Sequence, residues 1–430
     1  MQKPVLQPAE ILVPNAQTNL GLWAVLACDQ YTSEPEYWQQ VGELVGEEPS
    51  TLHMIFPEVY LEKPGAQQRI QAVHSAMAGY AAGSLFSAVN GYVYVERTLA
   101  NGAVRQGLVG CVDLEDYSYL PGAAARIRPS ENTVVERIPP RLAVRRGAAL
   151  ETPHILMLAD DPEQTIIEPI AAKKQSLKPL YSQNLMLGGG TVSGWAVTSP
   201  EDIRQIGEQL QKLDDAQRFF SMYRATAQTA SPFALAVGDG NHSLATAKAY
   251  WEEISQTLSP EEKQHHPARL CLVELENIQS PAIQIEPIHR VVFGASSVSF
   301  LHHMALFTQQ CGAQILPEGE GQQQFVAVSS AGRHSFGLVN PPAPLAVGTV
   351  DAFLQSFLET SPDLRVDYVH GEDSVNQLAY QGAIGVLLPP FQKSDIFKGV
   401  ALGGVLPRKT FSMGHAAEKR YYLECRKIVK

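Results

Sequence analysis

The chain has 430 residues, 45% hydrophobic and 18% charged, which is a globular composition on a chain too long for one ordinary core. Acidic residues (44) outnumber basic ones (33) for a net charge of −11, and this argues against a general binder of nucleic acid or anionic membrane, where phosphate contacts dominate affinity. No apolar run reaches the roughly 18–20 residues of a membrane-spanning helix, and the N-terminus lacks a secretory apolar segment, so a cytoplasmic location is expected.

In chain order, residues 22–27 read as a short buried strand that ends in a polar turn containing Cys28, Asp29 and Tyr31. A helix is expected over 36–45 and a longer, Ala-rich one over 66–88. Two strands, 92–97 and 105–113, flank Asn101-Gly102, a dipeptide that signals a hairpin. Residues 121–151 gather Arg126, Arg128, Arg137, Arg141, Arg145 and Arg146 within an otherwise acidic chain. A strand over 154–159 follows, then a turn at Asp160-Asp161-Pro162. Gly188-Gly189-Gly190 reads as a flexible connection, since the Gly-Lys-Ser/Thr ending of a phosphate loop is missing. Residues 200–230 read as one helix.

The apolar strand 233–237 runs into Gly238-Asp239-Gly240-Asn241-His242-Ser243, and a helix is expected over 244–258. Apolar stretches 270–275 and 281–293 resume the sheet. Pro341-Pro342-Ala343-Pro344 reads as a surface linker. The last third alternates helices (302–311, 349–359, 374–381) with short strands (325–329, 383–388). The mixture predicts an α+β (mixed α/β) fold. We expect an N-terminal core over 1–295 and a C-terminal part over 296–430 that returns a basic segment to the site. Five cysteines (Cys28, Cys111, Cys271, Cys311, Cys425) show no Cys-x-x-Cys spacing, which fits reduced thiols better than a disulfide framework or zinc site.

The turn at 238–243 carries the sharpest chemical signal. A strand that feeds a helix through glycines leaves backbone N–H groups unpaired at the positive end of the helix dipole, a ready site for an anion. Gly238 and Gly240 allow close backbone approach, and Asn241 and Ser243 are residues that orient a ligand or cap the first turn. An aspartate is out of place beside a bare anion. Asp239 makes sense if Mg²⁺ bridges it to phosphate, or if it acts with His242 on a hydroxyl. The plainer alternative is a tight turn with His242 packed.

The segment 236–247 resembles the nucleotide-phosphate motif of the ParB/sulfiredoxin superfamily, in which a strand enters an Asp-Gly-His-His-Arg or similar turn before an Ala-rich helix. More specifically, the chain is identified as a member of the domain of unknown function 1015 family. That likeness rests on Ile127-Arg128-Pro129-Ser130-Glu131-Asn132-Thr133, Glu151-Thr152-Pro153-His154, Glu286-Pro287-Ile288-His289-Arg290 and the segment 406–414. The superfamily includes nucleotide-dependent sulfiredoxin, CTP-binding ParB proteins and a kinase that phosphorylates free serine with ADP. The resemblance therefore implies a ParB/sulfiredoxin-like core with an additional α/β C-terminal part, and a nucleotide (ADP or ATP) with Mg²⁺.

This chain departs from the kinase form twice, with Asn241 for a histidine and Ser243 for the arginine that would grip phosphate. The missing charge could come from Arg137 and Arg141, spaced i, i+4, or from Arg408 and Lys409, with Lys419 and Arg420 beyond them. Glu131 is the expected general base for a hydroxyl, with Thr133 beside it; it could equally pair with an arginine on the surface. His289 and Arg290 fit either the same cavity or the core. The leading expectation is a nucleotide-dependent phosphotransferase acting on a small hydroxylated metabolite, with serine or phosphoserine first in line. A non-catalytic nucleotide sensor and a small-molecule phosphatase are the rivals. The expected partner is a small molecule, and neither membrane nor nucleic acid.

Overall fold

The structure is a computed structural model that describes every residue except Met1, Gln2, Ser33, Glu62, Pro121, Phe391, Arg408 and Lys430. It is α+β, and the chain divides into two compact units. The first comprises residues 1–283, 396–405 and 414–430; the second comprises 284–395 and 406–413.

The first unit is built on a nine-stranded mixed sheet. Its order is Ile127–Pro129, Leu235–Asp239, Leu156–Ala159, Leu270–Asn277, Val104–Asp113, Phe86–Thr98, Thr191–Val197 and Lys178–Asn184, with Ala9–Pro14 also paired to Phe86–Thr98. Two pairings are parallel: Ile127–Pro129 with Leu235–Asp239, and Leu156–Ala159 with Leu270–Asn277. Apolar side chains cover both faces. Tyr92, Leu108, Met157, Val237 and Trp251 pack on one, and Val93, Val109, Leu272 and Leu423 on the other. A strand buried on both faces reads as a continuous apolar run, which is why Leu156–Ala159 and the start of Leu235–Asp239 stand out in the sequence. The Asn101-Gly102 hairpin forms as expected: Gly102 adopts φ +82°, and the Ala103 N–H donates to Asn101 Oδ1 (3.0 Å).

Several expected elements differ. Residues 22–27 are not a sheet strand: a 3₁₀ turn, Leu20–Leu22, leads into a buried segment held by one bridge, Leu26 to Arg420. Val25 and Leu26 instead pack on the helix Pro35–Val45, so burial there comes from a helix rather than from strand pairing. The Ala-rich helix stops at Ala82, where Gly83 closes it, and the chain turns into a strand at Phe86. The region 200–230 forms two helices, Pro200–Leu213 and Ala216–Tyr223. Asp215 starts the second by accepting the Arg218 N–H (2.6 Å). The triple glycine joins two unforeseen strands, Lys178–Asn184 and Thr191–Val197, with Gly188 and Gly190 both at positive φ. It is a hairpin connection, not a flexible link: a Cβ on Gly190 would lie 2.1 Å from the Thr98 carbonyl oxygen.

The second unit holds a seven-stranded antiparallel sheet in the order Gln314–Leu316, Gly332–Val339, Gln323–Ser329, Ile384–Leu387, Ile285–Phe293 and Arg365–His370, with Phe411–Met413 paired to Ile285–Phe293. Helices Ser297–Gln310 and Ala346–Thr360 close an aromatic core in which Phe300 meets Phe353 edge-on at 4.9 Å. His289 and Arg290 serve this unit's interior: Leu388 N–H donates to His289 Nδ1 (3.1 Å), and Arg290 forks onto Asp351 (2.8 and 2.9 Å).

Candidate active site

The strand Leu235–Asp239 enters the helix Asn241–Ser255 through Gly240, which adopts the left-handed conformation (φ +82°, ψ +23°). No other residue fits there. A Cβ would sit 2.3 Å from the His154 carbonyl oxygen and 2.9 Å from the Ile155 Cα. This contact follows from pairing Leu235–Asp239 against Leu156–Ala159, which lays the turn on the start of the neighbouring strand. The helix has no side-chain cap at its N-terminus. The buried Asn241 Oδ1 lacks a hydrogen-bond partner among the described residues. The opening thus joins helix-dipole donors to an unsatisfied acceptor.

Asp239 stands directly in front of this turn. Its Oδ1 accepts the Gly240 N–H (2.8 Å), while its Oδ2 lies 3.0 Å from Lys419 Nζ and 3.4 Å from His154 Nε2. His154 Nδ1 donates to the Arg420 carbonyl (2.8 Å), which fixes the ring so that Nε2 faces the carboxylate. Burial disfavours an ionised Asp239, but Lys419 and His154 outweigh it and hold the carboxyl well below the ordinary range. Burial likewise disfavours the Lys419 ammonium. Asp239, Asp29 and Glu131 overcome it and raise the lysine above its usual value. One ammonium is therefore held in the field of three carboxylates.

Around this centre the expected residues fall into distinct groups. Glu131 belongs to the set acting on Lys419. His242, on the first turn of the helix, accepts the Val134 N–H at Nε2 (3.2 Å), so its ring ties the segment after Glu131 to the helix opening. Arg141 is committed to carboxylates, bonding Glu58 (2.5 Å) and Asp29 (3.3 Å). Arg137 is exposed at the junction between the turn Val135–Arg137 and the helix Ile138–Arg145, and its side chain has no partner among the described residues. Lys409 lies in the second unit, where its carbonyl accepts from Arg290 (2.8 Å); Arg408 lies outside the described residues.

Gly238 is the penultimate residue of the strand, and Ser243 turns toward a neighbouring cavity of about 140 Å³. Met54, Phe56, Val144 and Leu150 make its walls, with Arg141 and Tyr421 at polar positions. Cys28 also lines it, but burial and then Asp29 push its thiol up to about 12, which rules it out as a ready nucleophile. The sequence assigns no firm role to three residues of the site, Lys419, His154 and Glu58. The first two lie inside or beside its recognisable motifs. Glu58 had no local signal, because its importance comes from Arg141, 83 positions away.

Fold and site together define a mixed α/β protein with a strand–glycine–helix turn beside a buried carboxylate–lysine pair. Residues 6–360 match the family described as protein of unknown function (DUF1015), and the chain belongs to that family. Among curated proteins none matches it. Solved structures with a similar course include free serine kinase in complex with AMP, at 10% identity and a TM-score of 0.39, covering 75% of this chain and 91% of that one. A conserved hypothetical protein from Pyrococcus furiosus gives 10% identity and 0.35, covering 71% and 90%. SbnI from Staphylococcus aureus, truncated at its C-terminus, gives 9% and 0.35, covering 71% and 82%.

Proposed function

We propose that this chain is a nucleotide-dependent phosphotransferase acting on a small hydroxylated metabolite, with serine the first acceptor to offer. The observation that carries the reading is the left-handed Gly240 turn, which opens an uncapped 15-residue helix directly behind the Asp239–Lys419 pair. Backbone N–H groups of the first helical turn take phosphate oxygens of the nucleotide. Lys419 supplies the positive charge that the arginine of the related motif would supply, and the exposed Arg137 adds a second cation. Glu131 accepts the proton of the substrate hydroxyl. The hydroxyl oxygen then forms its bond to phosphorus as the bond to the nucleotide oxygen breaks, and the shortened nucleotide leaves with that electron pair.

The charge balance favours a divalent cation as companion. Arg141 pairs with Asp29 and Glu58, and Lys419 pairs with Asp239 in the field of Glu131, so four carboxylates surround these two cations and disfavour a bare nucleotide. Among the described residues no group of three potential ligands is assembled, which suits Mg²⁺ shared between one carboxylate and phosphate oxygens. Asp239 is the residue to hold it, and the ion would neutralise charge on the transferring group.

Phosphorus NMR tests the reading, with Mg²⁺ and L-serine plus ADP or ATP, and separately phosphoserine plus AMP or ADP. Transfer between nucleotide and serine is expected, falling by at least about a hundredfold in Asp239→Asn with the far-ultraviolet circular dichroism unchanged. An Asp239→Asn protein of full activity sinks the assignment. Free phosphate without nucleotide turnover indicates a phosphatase, and binding without any reaction indicates a sensor.

A further inference from the structure

We propose that the first unit carries a proton-binding site, a buried cluster of carboxyls and guanidiniums that keeps one proton on Glu276 at neutral pH and so seats the C-terminal segment 420–426. The cluster lies on one face of the nine-stranded sheet. Glu274 and Glu276 are two residues apart on the strand Leu270–Asn277 and therefore project from the same face. Arg97 and Arg105 are cross-strand partners on the next two strands, and each lies against one of these carboxyls. Gly107 makes room for them: a Cβ there would lie 2.2 Å from Glu274 Oε1. Glu424 joins from the C-terminal segment, where Tyr181 donates its hydroxyl to Oε1.

Counting charges shows that a proton is needed. Glu274, Glu276 and Glu424 are 0% exposed, and Arg97 and Arg105 only 4% and 5%. Three ionised carboxyls against two guanidiniums would leave one buried negative charge uncompensated, which costs far more than a neutral acid. The other charged groups around the cluster are engaged elsewhere. Asp239 pairs with Lys419 (3.0 Å), and Arg426 pairs with Glu151 (2.8 Å). Arg420 directs its guanidinium at the carbonyls of Ala417 (3.1 Å), Leu187 (3.4 Å) and Ala24 (3.5 Å). Tyr181 and Tyr422 bring hydroxyls that burial holds in the neutral form.

The hydrogen bonds identify the acid that keeps the proton. Glu274 Oε2 accepts from Arg97 Nε (3.4 Å), and Glu424 Oε1 accepts from Tyr181. Glu276 accepts from neither arginine. Arg105 Nε approaches its Oε1 to 2.7 Å, yet neither oxygen of Glu276 has a hydrogen-bond donor among the described residues. A carboxylate needs donors and a carboxylic acid needs an acceptor; Glu274 Oε1 is an unpaired acceptor on the same face. Burial, opposed by Arg105, raises the Glu276 carboxyl to about 7. The C-terminal segment feels its charge. Arg97 stands over the Tyr422 ring (5.6 Å), the Tyr422 hydroxyl accepts the Ile155 N–H (2.9 Å), and the fields of Glu274 and Glu276 both reach Tyr422. Ionising Glu276 adds a second buried negative charge beneath this seat.

The unfolded chain loses the Glu276 proton near pH 4.3 and the folded chain only near 7, so stability falls as the pH rises between them. All four tryptophans (Trp23, Trp38, Trp195, Trp251) belong to the first unit, so their fluorescence in urea follows its unfolding. Glu276→Gln carries a neutral isostere that does not titrate. The ratio of folding constants, wild type over Glu276→Gln, should fall about tenfold per pH unit between about pH 5 and pH 7. At about pH 8, amides of 420–426 should exchange faster in wild type than in Glu276→Gln. Infrared spectra of wild type at about pH 6 should contain a carbonyl component of an un-ionised carboxylic acid that is lost on raising the pH to about 8.5. That measurement stands even where the variant does not fold. A ratio that is constant or rises with pH overturns the proposal, as does a missing infrared component or one that persists in Glu276→Gln. Equal exchange of 420–426 in the two proteins overturns the link to the C-terminal segment.

Discussion

At the scale of single residues, the Asp239–Lys419 pair predicts a distinctive pH profile. The folded carboxyl titrates below its unfolded value of about 3.9, so the stability it contributes is complete above that pH and lost as the pH falls through the folded value. The lysine titrates above its unfolded value of about 10.4. Its contribution is complete below that pH and lost as the pH rises through the folded value. Between about pH 5 and pH 9 Asp239 and Lys419 are charged in either state, so neither carboxyl nor ammonium changes its own contribution there, and the stability difference between wild type and Asp239→Asn should shrink as the pH falls below about 4. Urea unfolding at several pH values measures it. A difference that stays constant as the pH falls below about 4 would mean that the Asp239 carboxyl is not held low as described.

At the scale of elements, the segment between Glu131 and Arg145 separates two arginines that the sequence presents as equivalent. Arg141 spans Asp29 and Glu58, and removing it strands two partly buried carboxylates; Arg141→Ala should cost about 2–3 kcal/mol of stability. Arg137 is exposed and uncommitted, so Arg137→Ala should alter stability by less than about 0.5 kcal/mol and reveal itself in weaker nucleotide binding instead. Denaturant unfolding and nucleotide titration of the two variants measure both effects, and equal stability losses would refute the division of roles. The spacing i, i+4 could not distinguish them. Local pattern did disclose the hairpin at Gly102 and the strand–turn–helix at Gly240, because both depend on neighbouring residues alone. It missed the bridge role of Arg141 and the hairpin through Gly188-Gly189-Gly190, because those depend on contacts with Glu58 and Thr98, far away in sequence. It misread residues 22–27 because an apolar run has the same appearance whether a strand or a helix covers it.

At the scale of the whole molecule, the proposed nucleotide turn lies entirely in the first of the two units. A ligand protects the backbone whose opening it opposes, by RT ln(1 + [L]/Kd), or about 2.7 kcal/mol at one hundred times Kd. Hydrogen exchange with nucleotide and Mg²⁺ should therefore slow amides near 131–137 and 239–246. Serine is the informative probe. As a phosphoryl acceptor it should add protection at 131–137 only when nucleotide is present. Protection by serine confined to residues of the second unit would remove serine as the acceptor.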